Sequence, residues 1–270
     1  MTIFGNHPEA SVRLTHEGTQ RAPGIVRLTL HQPGARNAIS AGMWSGLGEA
    51  LDRLEVQADL RVVILCGAGG DFSSGADTRE FAGHRSDPDQ TEAYNASVRA
   101  AIARLGALPV PVLAEMCGVC MGAGLALAAQ ADLRCLAQDA RLAIPAARIG
   151  VAYDPDWVAR LAGASRPEWL AEMIFTGRVY SGTEAVGAGF AADLAPAPQV
   201  PGRIAAMAEA IARGAPLTMR ATKLALSPAA RTPDGAARAR AAARACDESE
   251  DYRRAIGALS RKEEMEFKGR

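Results

Sequence analysis

The stretch Val62–Asp77, VVILCGAGGDFSSGAD, decides how the rest of the chain is read. Its first half, Val62 to Cys66, is apolar and β-branched, the composition of a strand buried on both faces. Its second half, Gly67 to Gly75, is a loop whose glycines let the backbone approach a ligand closely. A backbone without side chains in the way can offer N–H groups to a developing oxyanion. The stretch therefore points to chemistry on an acyl group rather than on phosphate or nucleic acid.

Upstream, Ser11 to His16 and Ile25 to His31 read as the first two strands, the latter alternating Val26, Leu28 and Leu30 with Arg27 and Thr29. Gln32 to Arg36 is a turn around Pro33-Gly34. Ser40 caps a helix from Ala41 to Val56 with Met43, Leu47, Leu51 and Leu54 on its apolar face. Downstream, residues 82–90 are polar, and a helix is expected from about Thr91 to Leu105. The unit then recurs: a strand from Val110 to Met116, a glycine-rich turn from Gly118 to Gly124, a helix from Leu125 to Ala131, and short strands at Leu133 and Leu142. Strands alternating with helices give an α/β class with largely parallel pairing. After about Pro201 strand signals vanish. Ala229 to Ala245 is alanine-rich, and its Arg231, Arg238, Arg240 and Arg244 precede Asp247, Glu248, Glu250 and Asp251, a pattern read as a salt-bridged helical face.

The chain has 270 residues, enough for one large domain or a core with an appendage, and 49% of them are hydrophobic, so a substantial core is possible. Thirty basic residues balance thirty acidic ones, which gives no electrostatic reason to expect nucleic acid or an anionic membrane as partner. No run approaches the roughly 18 apolar residues of a membrane helix. The opening MTIFGNHPEA lacks the basic-then-apolar order of a signal peptide, so a soluble cytoplasmic protein is expected. The five cysteines (66, 117, 120, 135, 246) are odd in number and widely spaced, against a disulfide framework. Cys117 and Cys120 form a C-x-x-C, but Met116, Val119 and Met121 around them favour small core residues over a redox pair or half a zinc site. Histidines 7, 16, 31 and 84 show no metal or triad spacing, which removes zinc-hydrolase and Ser-His-Asp mechanisms from the front rank.

Five motifs in series carry a resemblance: Gln32-Pro33 through Arg36-Asn37-Ala38-Ile39-Ser40; Phe72-Ser73-Ser74-Gly75-Ala76-Asp77; Gly118 through Gly122-Ala123-Gly124; Ala185 through Gly189; and the closing Phe267-Lys268-Gly269-Arg270. In this order and spacing the chain resembles the crotonase (enoyl-CoA hydratase/isomerase) superfamily over essentially its whole length. The resemblance implies a crotonase-like spiral core of ββα turns over residues 1–200. A helical region over 201–270 would follow, serving oligomer contacts and pocket closure in trimers that pair into hexamers. It implies an acyl-coenzyme A thioester as ligand, with no metal and no cofactor beyond the coenzyme A of the substrate. Two backbone N–H groups would hold the thioester oxygen, here those of Ala76 and Ala123. Relatives more often carry Gly at the second position, and Ala supplies the same N–H. The coenzyme would lie near Arg36 and Ala38 and along Ala76-Asp77-Thr78, with Lys262 of a neighbouring subunit, beside Arg261, reaching its phosphates. Asp77 is read as structural.

The chain departs from the hydratases of that family, which add water with two glutamates. The corresponding positions are Ala126 and Ala146, neither of which can hold or activate a water. What remains is Gly150 to Trp157. Asp154 falls where several isomerases of the family keep an aspartate over the acyl chain, and it equally fits the N-cap of a helix beginning at Pro155. Tyr153 either lines the acyl pocket or donates a hydrogen bond. The expected function is an enoyl-CoA or dienoyl-CoA isomerase in which Asp154 moves a proton and Ala76 and Ala123 hold the enolate oxygen. A retired acyl-CoA-binding protein, or a hydrolase, decarboxylase or C–C lyase on a specialised acyl-CoA, are the alternatives.

Overall fold

The computed structural model describes residues 1–80, 87–261 and 265–270. Its strands are β1 (Thr2–His7), β2 (Ala10–His16), β3 (Ile25–His31), β4 (Val62–Gly67), β5 (Val112–Met116), β6 (Val119–Met121), β7 (Leu133–Ala137), β8 (Arg141–Ala143), β9 (Tyr180–Ser181) and β10 (Asp193–Ala195). Seven of them form one sheet in the order β1-β2-β3-β4-β5-β7-β10, and β6, β8 and β9 form a second, three-stranded one. Pairing from β3 through β10 in the large sheet is parallel, whereas β1, β2 and β3 form an antiparallel meander. The sheet is thus mixed, with an antiparallel edge on the expected parallel body.

β4 sits in the middle, between β3 and β5, and Val62, Val63, Ile64 and Leu65 are completely buried. A continuous apolar run is what a strand covered on both faces requires. The helix Ala41–Glu55 starts where Ser40 accepts a hydrogen bond from the Met43 N–H, and it buries Met43, Trp44, Leu47, Leu51 and Leu54. It packs on β1 and β2 and on the helix Pro88–Ala107. The helix Val200–Arg213 lies against β3, β4, β5 and β7 with Val200, Ile204, Ala208 and Ala212 inward.

The differences from expectation have local causes. β1 carries Gly5, Asn6 and His7 and little alternation, so it exists through its pairing with β2, where Thr2 faces Leu14. The strand expected from Val110 begins at Val112, because Pro109 and Pro111 cannot donate to a ladder. The expected glycine turn between Gly118 and Gly124 contains β6, held in parallel to β8. The helix after it starts at Ala123, directly after Gly122 at φ 49°. The helix expected from Thr91 starts at Pro88, where Asp87 accepts the Asp89 N–H.

The C-terminal helices are Pro216–Leu226, Pro233–Asp247 and Glu250–Arg261. The expected salt-bridged face is not formed. Among the described residues Asp251 pairs with Arg254 and Glu250 with Arg270, and no ion pair joins these acids to Arg231, Arg238, Arg240 or Arg244. The helix Pro233–Asp247 buries no residue, and Leu226, Ile256 and Leu259 are exposed nearby. Among the described residues no helix is long and apolar enough to cross a membrane.

Candidate active site

The two glycine loops meet. The Phe72 N–H donates to the Cys117 carbonyl at 2.9 Å, the Ser73 N–H to the Val119 carbonyl at 2.9 Å, and the Met121 N–H to the Ser73 carbonyl at 2.9 Å. Asp71 adds a side-chain bond, its Oδ1 accepting the Val119 N–H at 2.8 Å. The approach is close enough to demand glycine. A Cβ on Gly75, which has φ 98°, would stand 2.8 Å from the Met121 carbonyl oxygen and 3.4 Å from the Ala123 nitrogen.

Ala76 and Ala123, the residues expected to supply the oxyanion donors, are therefore neighbours across this contact. Among the described residues neither of their N–H groups has a partner. The bridge between Ile39 and Ala76 uses the Gly75 carbonyl and the Asp77 N–H, and Ala123 opens its helix, where N–H groups have no intrahelical acceptor. The carbonyl ends of both peptide units are held. The Gly75 carbonyl accepts the Ile39 N–H at 2.7 Å. The Gly122 carbonyl accepts the Leu125 N–H at 2.9 Å, the Ala126 N–H at 3.2 Å and the Tyr153 hydroxyl at 2.9 Å. Two fixed, unpaired N–H groups in a close-packed loop pair are the elements of an oxyanion hole.

Beside them runs the expected coenzyme line. Arg36 and Asn37 both have left-handed backbone, at φ 50° and 55°. Arg36 is exposed, while Ala38 is 7% exposed and its carbonyl accepts Gln32 Nε2 at 3.0 Å. Thr78 is exposed at the start of a short 3-10 turn. Asp77 is buried and committed: Arg79 donates to it through Nε at 2.8 Å and an Nη at 2.6 Å, and Gln32 Nε2 approaches at 3.3 Å. The Arg79 hydrogen bond, first, holds the Asp77 carboxyl below its ordinary value despite burial. A cleft of about 350 Å³ opens next to it, lined by His7, Gln32, Ser40, Arg79 and Glu80 among others. Lys262 lies outside the described residues.

The two positions at which the resemblance implies hydratase glutamates are apolar and closed: Ala126 is completely buried and Ala146 is 5% exposed. Asp154 is the N-cap of the helix Pro155–Ala164, its Oδ1 accepting the Asp156 N–H at 3.0 Å. Its Oδ2 faces Arg99 at 3.5 Å, and Arg99 also pairs with Glu92. The cap geometry is thus formed, and the second oxygen has only a long contact to a cation. Tyr153 turns its hydroxyl to the Gly122 carbonyl and packs edge-on against Trp157 with centroids 5.3 Å apart.

Asn37 was not singled out by sequence reasoning, and its side chain ties the two loops together through three bonds to backbone groups. It is completely buried; its Nδ2 donates to the carbonyls of Ala68 and Asp71, both at 2.7 Å, and its Oδ1 accepts the Gln32 N–H at 3.0 Å. Ser73, also buried, donates to the Asn37 carbonyl at 2.7 Å and accepts the Gly75 N–H at 3.1 Å. An Asn between a turn and a strand-like segment is the signal that could have found it, since Asn tolerates left-handed backbone.

Comparison with known proteins shows which family the chain is similar to. Residues 20–270 match the family model described as enoyl-CoA hydratase/isomerase. The chain is 32% identical over 171 residues to a probable enoyl-CoA hydratase of Bacillus subtilis (strain 168), a match spanning 61% of this chain and 63%, less than two thirds, of that protein. It is 28% identical over 230 residues to the mitochondrial Delta(3,5)-Delta(2,4)-dienoyl-CoA isomerase of Homo sapiens, covering 81% of this chain and 69% of that one. Among solved structures, an enoyl-CoA hydratase/carnithine racemase from Magnetospirillum magneticum superposes with a TM-score of 0.88 at 28% identity, over 99% of this chain and 98% of that one. With its mixed α/β architecture, its helical C-terminal region and its paired glycine loops, the chain belongs to the enoyl-CoA hydratase/isomerase family and has the crotonase fold.

Proposed function

We propose that the protein is an acyl-CoA isomerase that moves a double bond within an enoyl- or dienoyl-CoA, and that it is not an efficient hydratase. One observation carries this reading: two N–H groups without a partner among the described residues stand together at Ala76 and Ala123, while Ala126 and Ala146 bury apolar side chains at the two glutamate positions. The hole would stabilise the negative charge that appears on a thioester oxygen when a neighbouring carbon loses a proton. Water activation, which needs a carboxylate in reach, has no group at either position.

In this reading Asp154 takes a proton from one carbon of the acyl chain, the electron pair shifts onto the thioester oxygen held by Ala76 and Ala123, and the proton returns to another carbon. The reaction is balanced with one base and needs no cofactor beyond the coenzyme A carried by the substrate. Arg36, Ala38, Asp77 and Thr78 would flank that coenzyme, and Lys262 of a neighbouring subunit would meet its phosphates. Self-association as a trimer or hexamer through the C-terminal helices is supported by the exposed Leu226, Ile256 and Leu259. A cytoplasmic setting fits the reading.

The test is incubation with crotonyl-CoA, 3-enoyl-CoA and 3,5-dienoyl-CoA, with products resolved by chromatography and mass, alongside Asp154→Asn. A double-bond shift without mass change, lost in the variant, is the expected result. Full turnover by Asp154→Asn refutes the base assignment, and a gain of water's mass refutes the exclusion of hydration. A second reading has its own observation: both Asp154 oxygens already face partners, the Asp156 N–H and Arg99, so the chain would hold acyl-CoA without transforming it. Tight binding with no product from any thioester favours that reading, and release of free coenzyme A or carbon dioxide points to cleavage chemistry instead.

A further inference from the structure

Resting on the acyl-CoA reading above, we infer that Tyr153 is a positioning residue of the oxyanion hole, fixing the Gly122–Ala123 peptide unit so that the Ala123 N–H aims at the thioester oxygen. The argument begins with the peptide group, which is planar and trans, so its C=O and its N–H point in opposite directions across one rigid plate. Whatever holds the carbonyl end sets the direction of the N–H end. In the first donor, the Gly75–Ala76 plate, the carbonyl is held by the Ile39 N–H at 2.7 Å. In the second, the Gly122–Ala123 plate, the Tyr153 hydroxyl reaches the carbonyl at 2.9 Å from 31 residues along the chain.

The second plate needs such a holder more than the first. Gly122 has φ 49° and ψ −122°, a region open to glycine and costly to other residues, and glycine rotates through it easily. The Leu125 and Ala126 N–H groups also reach this carbonyl, but both belong to the short helix Ala123–Ala128 and move with it. Among the described residues Tyr153 supplies the one side-chain bond to the carbonyl, and it arrives from a separate segment whose Tyr153 and Trp157 pack against the hydrophobic core. A donor on the C=O also polarises the plate and strengthens its N–H as a donor. Burial, first, with Cys120 and Asp154 nearby, pushes the Tyr153 phenol well above its ordinary value of 10, so it remains a donor at working pH.

The probe is 2,4-hexadienoyl-CoA carrying ¹³C at the thioester carbonyl, bound to the full-length protein and to Tyr153→Phe. The readouts are the infrared shift of that carbonyl and the dissociation constant by titration. The phenyl ring keeps the packing, and the Gly122 carbonyl keeps its two helical donors, so the variant is expected to fold, which a melting curve checks. The wild type should lower the carbonyl frequency, and Tyr153→Phe should lose half or more of that lowering. Affinity should change by less than about threefold, since the hydroxyl is already engaged by the Gly122 carbonyl. On a turned-over substrate kcat should fall, by at most about 10²–10³-fold, with KM nearly constant, the upper bound being loss of a whole donor. An equal frequency shift in both proteins overturns the positioning role, even if the variant melts earlier. No shift in the wild type is a different failure: it removes the oxyanion-hole reading itself and the inference with it.

Discussion

Replacing Asn37 by alanine should unfold the site before it alters any chemistry. The side chain makes three bonds to backbone groups of two loops: Gln32 N–H at 3.0 Å, and the Ala68 and Asp71 carbonyls at 2.7 Å each. Each such bond contributes about 1 kcal/mol net, and more when its loss strands a buried partner, so the three sum to roughly 3 kcal/mol. Alanine must also adopt the φ of 55° that Asn37 holds, which adds about 1 kcal/mol. The total, about 4 kcal/mol, corresponds to a fall in melting temperature of roughly 8 °C for a chain of this length. Urea denaturation and thermal melting at one fixed protein concentration measure it. Asn37→Asp is the sharper companion, because it keeps size and turn preference yet sets an oxygen against the two carbonyls that Nδ2 now serves. It should lose at least as much as Asn37→Ala at neutral pH. A loss under about 1 kcal/mol for Asn37→Ala would show that the loops hold each other without this side chain, and the account of how Arg36 and Ala38 are presented would fail.

Acid stability should depend on Arg79. Asp77 sits below its ordinary value of 3.8 when folded, so the stability it confers is complete above that value and lost as pH falls through the lower folded one. Arg79→Ala releases the depression, and acid unfolding should begin at higher pH; identical acid midpoints would show that Gln32 and the backbone suffice. Thiol labelling offers a separate check: burial pushes Cys117 to about 11 and Cys135 to about 12, and raises Cys66 and Cys120 as well. At pH 8 these four should react slowly until the protein unfolds, leaving the half-buried Cys246 as the fast one, and a second fast thiol would contradict the packing.

The elements that were legible in the sequence are those whose stability is local or whose burial is total. β3 and β4 show period-two or continuous apolar runs, and the helix from Ala41 carries both its cap and its stripe in plain order. β1, β9 and β10 were not, because segments such as Tyr180–Ser181 and Asp193–Ala195 are strands through their neighbours and not through their own composition. β6 hid inside a glycine motif for the same reason. At the site, the resemblance supplied Ala76 and Ala123, which have no side-chain signature since the role proposed for them belongs to the backbone. The contact from Tyr153 to Gly122 joins two loops far apart in the chain, and no periodicity records it. Asp154 shows the opposite limit: a cap and a base have the same spelling, and the sequence held both readings.

An oxyanion hole assembled from main-chain N–H groups also has an evolutionary side. Every amino acid except proline carries that donor, so point mutation at Ala76 or Ala123 leaves the donors chemically in place as long as the loops keep their shape. Selection acting on this chain would therefore have freedom at Ala126, Ala146 and Asp154 while the anchoring glycines and Asn37 stay under constraint. New reactions can be reached by exchanging a few side chains around a fixed electrophile binder, without passing through an intermediate that has lost the ability to hold an enolate. Read as an inheritance, the same feature explains why the loop motifs reveal ancestry so clearly and the reaction so poorly.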